Sequence, residues 1–171
     1  MPDLADTFLS RSRHYLMDEY LPKLERCLDQ LSEDEVWWRP NEASNSVGNL
    51  ILHLAGNIRQ WVIAGVGQQA DVRQRQAEFD EAGPVPTEAL RLILRQTLTE
   101  VDATLAAVAP ASLLEPRSIQ GYDVSVFEAI YHAVEHFSTH VGQVVYITKL
   151  WRAADLKFYR TTPDGLAYPN W

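Results

Sequence analysis

The chain has a single cysteine, Cys27, so an internal disulfide is excluded. It has no apolar run near the roughly 18 residues that a membrane-spanning helix needs. Positive charge is also scarce: 15 Lys and Arg stand against 23 Asp and Glu, for a net charge of −8. A general nucleic-acid binder needs a positive footprint, and this balance does not supply one. A small anionic ligand stays open, because a local pair of arginines acts against the global field. The opening MPDLADTFLSRSRHY lacks the basic start and apolar core of a secretion signal, which together with the lone cysteine points to the cytoplasm. Glycine-rich phosphate loops, internal repeats and alternating strand patterns are missing as well.

What remains is helical. With 171 residues, 46 % of them apolar, the chain suits one domain over residues 1–171 with a substantial core. Four long helices account for most of it. The first runs from about Asp3 to Gln30, on Phe8, Tyr15, Leu16, Tyr20, Leu24, Leu28 and Leu31, with a kink expected at Pro22. Ser32 and Glu35 read as a capping box for one short turn that Pro40 ends. The second helix is capped between Ser44 and Ser46 and stops at the glycines near 65 to 67. A polar connection of about 19 residues follows, too long for a tight helical hairpin and suited to a crossover. The third helix opens with Thr87 as cap and runs towards Pro110. The fourth, capped by Ser125 with Glu128 three residues on, runs to about Ala154. The aromatic tail DLKFYRTTPDGLAYPNW is expected to pack on these helices.

The fourth helix carries the sharpest signal. His132, His136 and His140 stand four residues apart, in a chain with five histidines. Four residues turn a helix by about 400° and rise about 6 Å, so neighbours in this row share a face and reach one ion with their ring nitrogens. Nitrogen donors suit zinc, nickel, copper or iron. Spacing alone does not choose between the 132/136 and 136/140 pairs, and a catalytic metal site takes about three protein ligands. Of the other histidines, His14 lies among charges in RSRHYLMDEY, whereas His53 lies in the apolar NLILHLAGN, where a neutral imidazole needs a partner. His53 is therefore the better candidate to face the fourth helix. Asn57 and Gln143, one turn from His53 and His140, read as groups that orient ligands or contact a substrate, and equally as ordinary core amides. Arg73 and Arg75 in the long connection read as a clamp for an anion or as partners of Glu78 and Asp80. Cys27, Trp37, Trp38 and Trp61 read as packing residues. Glu135 points about 100° away from His136 and is no evident base.

The segments NSVGNLILHLAGNIRQW and HAVEHFSTHVGQVVYITKL resemble the second- and fourth-helix signatures of the DinB-like (YfiT-like) superfamily of metal-dependent four-helix-bundle proteins. WWRPNEASNS and RQRQAEF are similar to features of one uncharacterised subgroup, and the resemblance runs from about Tyr15 through the tail. It implies an all-α four-helix bundle of up-down-down-up order, with the long connection between helices 2 and 3, and often a homodimer. It implies a divalent metal, zinc or nickel, on His53, His136 and His140, with His132 beside them outside the ligand set. Some relatives transfer low-molecular-weight thiols, and one group isomerises maleylpyruvate with mycothiol. By that resemblance the chain is expected to be a metal-dependent enzyme that passes a small thiol to an electrophilic small molecule. The alternatives are a metal-binding structural or sensor module without turnover, or a metal-dependent hydrolase. The helical glutamate of H-E-x-x-H is missing, which weakens a protease reading.

Overall fold

Helix starts are set by local side chains. In the computed structural model, which describes residues 3–171, the Asp3 carboxylate caps α1 by accepting from the Asp6 N–H at 2.8 Å. Helix α1 covers Leu4–His14 and runs on through the π-helical Tyr15–Tyr20 into Leu21–Gln30. The disturbance expected at Pro22 takes this form, a π-helical stretch just ahead of the proline. Pro22 has no N–H to give the Asp18 carbonyl four residues back, and the Trp171 indole Nε1 donates there instead. The tail thus packs on α1, where Arg26 also donates to the Lys157 and Asn170 carbonyls.

Ser32 and Glu35 form their capping box on the short α2 (Glu33–Trp37). Ser46 caps α3 (Val47–Ile58), which continues π-helically over Arg59–Val66. The connection after it is not irregular throughout, since it holds the short α4 (Arg75–Asp80). Helix α5 (Thr87–Ala106) departs from the expected cap: Pro86 is the capping residue and Thr87 is already helical. Its free Thr87 N–H is taken by the Glu33 carboxylate, at 3.0 and 3.1 Å, from across the molecule. Helix α6 (Val126–Arg152) starts on the expected Ser125–Glu128 box and stops where Ala153 adopts φ 48°.

Two hairpins join these helices among the described residues, against the expectation of no strand. β1 (Pro116–Ile119) pairs antiparallel with β2 (Tyr122–Ser125), and β3 (Tyr159–Thr161) with β4 (Ala167–Pro169). Gln120 and Gly121 between the first two strands have φ of 56° and 82°. That is the conformation a two-residue hairpin turn demands, here with Gln where Asn or Asp usually stands.

Side-chain pairs give the helix directions. Phe8 packs on Phe127 and Tyr20 on Phe137, so α1 and α6 run parallel. Arg59 pairs with Glu100 at 2.8 Å and Thr104 lies beside Gly67, so α3 and α5 run parallel. Arg13 pairs with Asp102 while Arg91 donates to the Glu25 carbonyl, so α1 and α5 are antiparallel. His53 meets His136 and Trp61 meets His132, so α3 and α6 are antiparallel. The shared core between them includes Leu24, Leu54, Ile58, Leu94, Leu98 and Phe137. No helix of the described residues is long and apolar enough to cross a membrane.

Candidate metal centre

Antiparallel packing of α3 on α6 carries His53 to the histidine row. His136 Nε2 lies 3.2 Å from His53 Nε2 and 3.2 Å from His140 Nε2. These three residues form a group whose donor atoms all lie within 4.8 Å of one another. His132, one turn earlier, stays outside it. Its ring packs on Trp61 at 4.0 Å between centroids and lies 5.6 Å from that of His136.

The second nitrogens explain what the first ones offer. Glu78 Oε2 lies 2.9 Å from His53 Nδ1. An ionised carboxylate only accepts. The Arg73 Nη2, which only donates, also lies 3.2 Å from Nδ1 but makes its shorter bond, 2.8 Å, to Glu78 Oε2, so the closer carboxylate contact favours the His53 proton on Nδ1. Gln143 Oε1 lies 2.7 Å from His140 Nδ1 and does the same there. Both Nε2 atoms are then bare lone pairs, and both face His136 Nε2. A single proton on His136 satisfies at most one of them. His136 Nδ1 is buried and makes no hydrogen bond among the described residues. Converging lone pairs in a half-buried setting ask for a cation. Two nitrogens at about 2.0–2.1 Å from a tetrahedral ion stand about 3.3 Å apart, close to the 3.2 Å of the two pairs that His136 makes, so the donor set fits a zinc-like ion.

Protonation points the same way. Burial pushes His136 down to about 3, assisted by its neighbours His140 and His53. Burial also lowers His140, against the opposing bond to Gln143, and lowers His132. Neutral imidazole is the form that binds metal.

Glu78 is the residue that sequence reasoning missed as a site group, having entered only as a partner for Arg73. The Arg73 guanidinium grips it twice, Nε to Oε1 at 2.7 Å and Nη2 to Oε2 at 2.8 Å, and gives Nη1 to Gln60 at 2.9 Å. Burial pushes the Glu78 carboxyl up, but the bonds from Arg73 and His53 outweigh it and hold the group below its ordinary range. Arg73 therefore sits at the site as the counter-ion of Glu78. Arg75 does not pair with Asp80, which takes Gln76 instead; its guanidinium lies over the Phe79 ring at 4.9 Å. One signal was available for Glu78. Gly56 sits inside an apolar helix, where glycine costs about 1 kcal/mol against alanine. A Cβ built on it would lie 2.0 Å from Glu78 Oε1, so the glycine makes room for the carboxylate.

Beside the histidines opens a cleft of about 450 Å³ lined by His53, His136, His132, Asn57, Arg75 and Tyr122 among others. Cys27 is remote from it in function: the thiol is buried, and burial raises it to about 11 despite a bond to Thr148. Trp37 packs against Gly48 and Gly83, and Trp38 against Trp151, in keeping with packing roles.

Comparisons with known proteins agree with this architecture. No curated protein matches the chain. Among solved structures it is similar to the crystal structure of a DinB-like protein from Bacillus cereus ATCC 10987, at a TM-score of 0.58 and 16 % identity, over 80 % of this chain and 93 % of that one. The family model described as "protein of unknown function (DUF1572)" matches residues 3–165. The chain belongs to that family and has a DinB-like fold.

Proposed function

We propose that the chain is a metal-dependent enzyme, with a divalent ion, zinc or nickel, held by His53, His136 and His140 in a four-helix bundle of up-down-down-up order. The parallel pairs α1/α6 and α3/α5, crossed by antiparallel contacts, support that order. The carrying observation for the ion is the meeting of lone pairs: Glu78 and Gln143 fix two imidazoles with Nε2 bare, both aimed at His136 Nε2. A bound ion of this kind lowers the pKa of coordinated water to about 7 and converts a coordinated thiol to thiolate.

The reaction we infer is transfer of a low-molecular-weight thiol to an electrophilic small molecule, by a cytoplasmic homodimer. What the chain withholds supports an external nucleophile. Cys27 is buried and protonated, Glu78 is spent on Arg73 and His53, and Glu135 is exposed on another face of α6. The open cleft beside the imidazoles favours turnover over a closed structural ion.

Metal analysis of untagged protein tests the centre. We expect about one divalent ion per chain, as three imidazole ligands imply, and its loss in His53→Ala, His136→Ala and His140→Ala. Wild-type metal content in all three variants rejects the ligand set. Metal-loaded protein screened with several small thiols and an electrophilic acceptor tests the chemistry. Thioether formation that disappears in His136→Ala supports it, and no turnover with metal tightly bound favours a sensor or structural module.

A further inference from the structure

The cleft beside the three imidazoles has a lining without a carboxylate of its own, in a chain of net charge −8. Two guanidiniums reach it. The charge of Arg73 is cancelled by Glu78, which holds it through two oxygens. Arg75 makes no ion pair among the described residues. It is exposed and lies over the Phe79 ring, which is tilted against that of His53 with 4.8 Å between centroids. The second observation is Asn57. It is 5 % exposed, lines the cleft, and its side-chain amide makes no hydrogen bond among the described residues. Its amide atoms keep contact with solvent through the cleft, so a ligand there exchanges water for a hydrogen bond to this side chain. Tyr122, brought by the hairpin β1–β2, lines the same cleft. An amide and one guanidinium without an ion pair among the described residues therefore line a space of about 450 Å³, which lies in the range of small-molecule sites.

We propose that this cleft is a carboxylate subsite, in which Arg75 and Asn57 hold the anionic end of a small ligand whose other end reaches the ion on His53, His136 and His140. The ion end rests on the metal-centre reading above. The subsite sets the substrate class: small molecules that carry a carboxylate about one helical turn from the atom that meets the ion. Asn57 follows His53 by four residues, about 6 Å along the helix axis. An extended four-carbon dicarboxylate spans a similar distance. A neutral ligand of the same shape forgoes the charge-assisted bond to the exposed Arg75 guanidinium and therefore binds more weakly.

The test uses ¹⁵N-labelled full-length protein, zinc-loaded and zinc-free, titrated with succinate and with propanoate, which lacks the second carboxylate. We expect succinate to shift the Arg75 Nε–H and Asn57 side-chain amide resonances saturably. In the zinc-loaded protein succinate should bind about tenfold tighter than propanoate. Arg75→Gln and Asn57→Ala should erase that preference while zinc stoichiometry, measured on the same samples, stays at the wild-type value. Unshifted resonances overturn the proposal, and so does an undiminished preference in both variants. Inorganic phosphate competing as well as succinate overturns the assignment to a carboxylate. If wild-type protein binds no zinc, the metal-centre reading fails, and the subsite stands or falls on the same two resonances in the zinc-free titration.

Discussion

Glu78 decides which nitrogen His53 presents. With Nδ1–H held by the carboxylate, Nε2 is a lone pair and the ring cannot rotate away. Gly56 decides whether Glu78 reaches that position, since an added methyl would lie 2.0 Å from its Oε1. These two residues act through one hydrogen bond, and their substitutions should therefore overlap. Removing an orienting partner of a ligand histidine lowers metal affinity by about 10–100-fold. We expect Glu78→Gln and Gly56→Ala each to lose that factor in zinc competition against a chromophoric chelator, and the double variant to lose little more than either alone. Wild-type affinity in Gly56→Ala would show that the carboxylate has another route to His53. The histidines themselves were legible in the sequence as a helical row. So was His53 as the candidate to face them, but not which pair it joins, because i and i+4 spacing serves 132/136 and 136/140 equally. What separates the pairs is the depth at which α3 packs, and that is a tertiary quantity.

At the scale of elements, α4 is the piece that owes most to its surroundings. A helix of six residues does not hold itself together in water. It is anchored by Asn49 Nδ2, which donates to the Glu78 and Glu81 carbonyls at 2.9 and 2.8 Å, and by Arg39, which donates to the Phe79 carbonyl at 3.1 Å. It is tied to His53 by the Glu78 bond and by the Phe79 ring, 4.8 Å away between centroids, and to Gln60 through Arg73. Fixing His53 on an ion therefore fixes α4 as well. Amide exchange of residues 75–81 should slow on zinc addition, while that of α5 changes little, as hydrogen-exchange mass spectrometry measures. Equal protection of both elements would separate α4 from the centre. Local signals made the other helices legible: Ser32–Glu35 and Ser125–Glu128 are complete capping boxes within four residues of sequence. The start of α5 was misread because its cap comes from Glu33, distant in sequence. The hairpin β1–β2 escaped because Gln120 carries a positive φ that its residue type rarely announces.

On the scale of the whole molecule, the cluster of imidazoles is a liability when no ion neutralises its lone pairs. Burial lowers His136 to about 3, and lowers His140 and His132 as well, against an ordinary value of 6.5. A group whose folded pKa is depressed binds its proton more readily in the unfolded chain. Its contribution to stability is therefore present above about 6.5 and is lost as pH falls from there towards the folded value. The lowered carboxylates Glu78, Glu35 and Glu128 push in the same direction, but they act from about their ordinary 4.5 downward. Between those two values the loss belongs mainly to the histidines. Zinc-free protein unfolded in urea should have a lower midpoint at pH 5 than at pH 7, and His136→Gln, which cannot take up a proton, should show a smaller drop. Zinc-loaded protein adds a second loss over the same interval, because protons then compete with the ion for the imidazoles. A zinc-free midpoint that is the same at both values would mean that acid opens the α3–α6 seam locally, hydrating the histidines without unfolding the bundle.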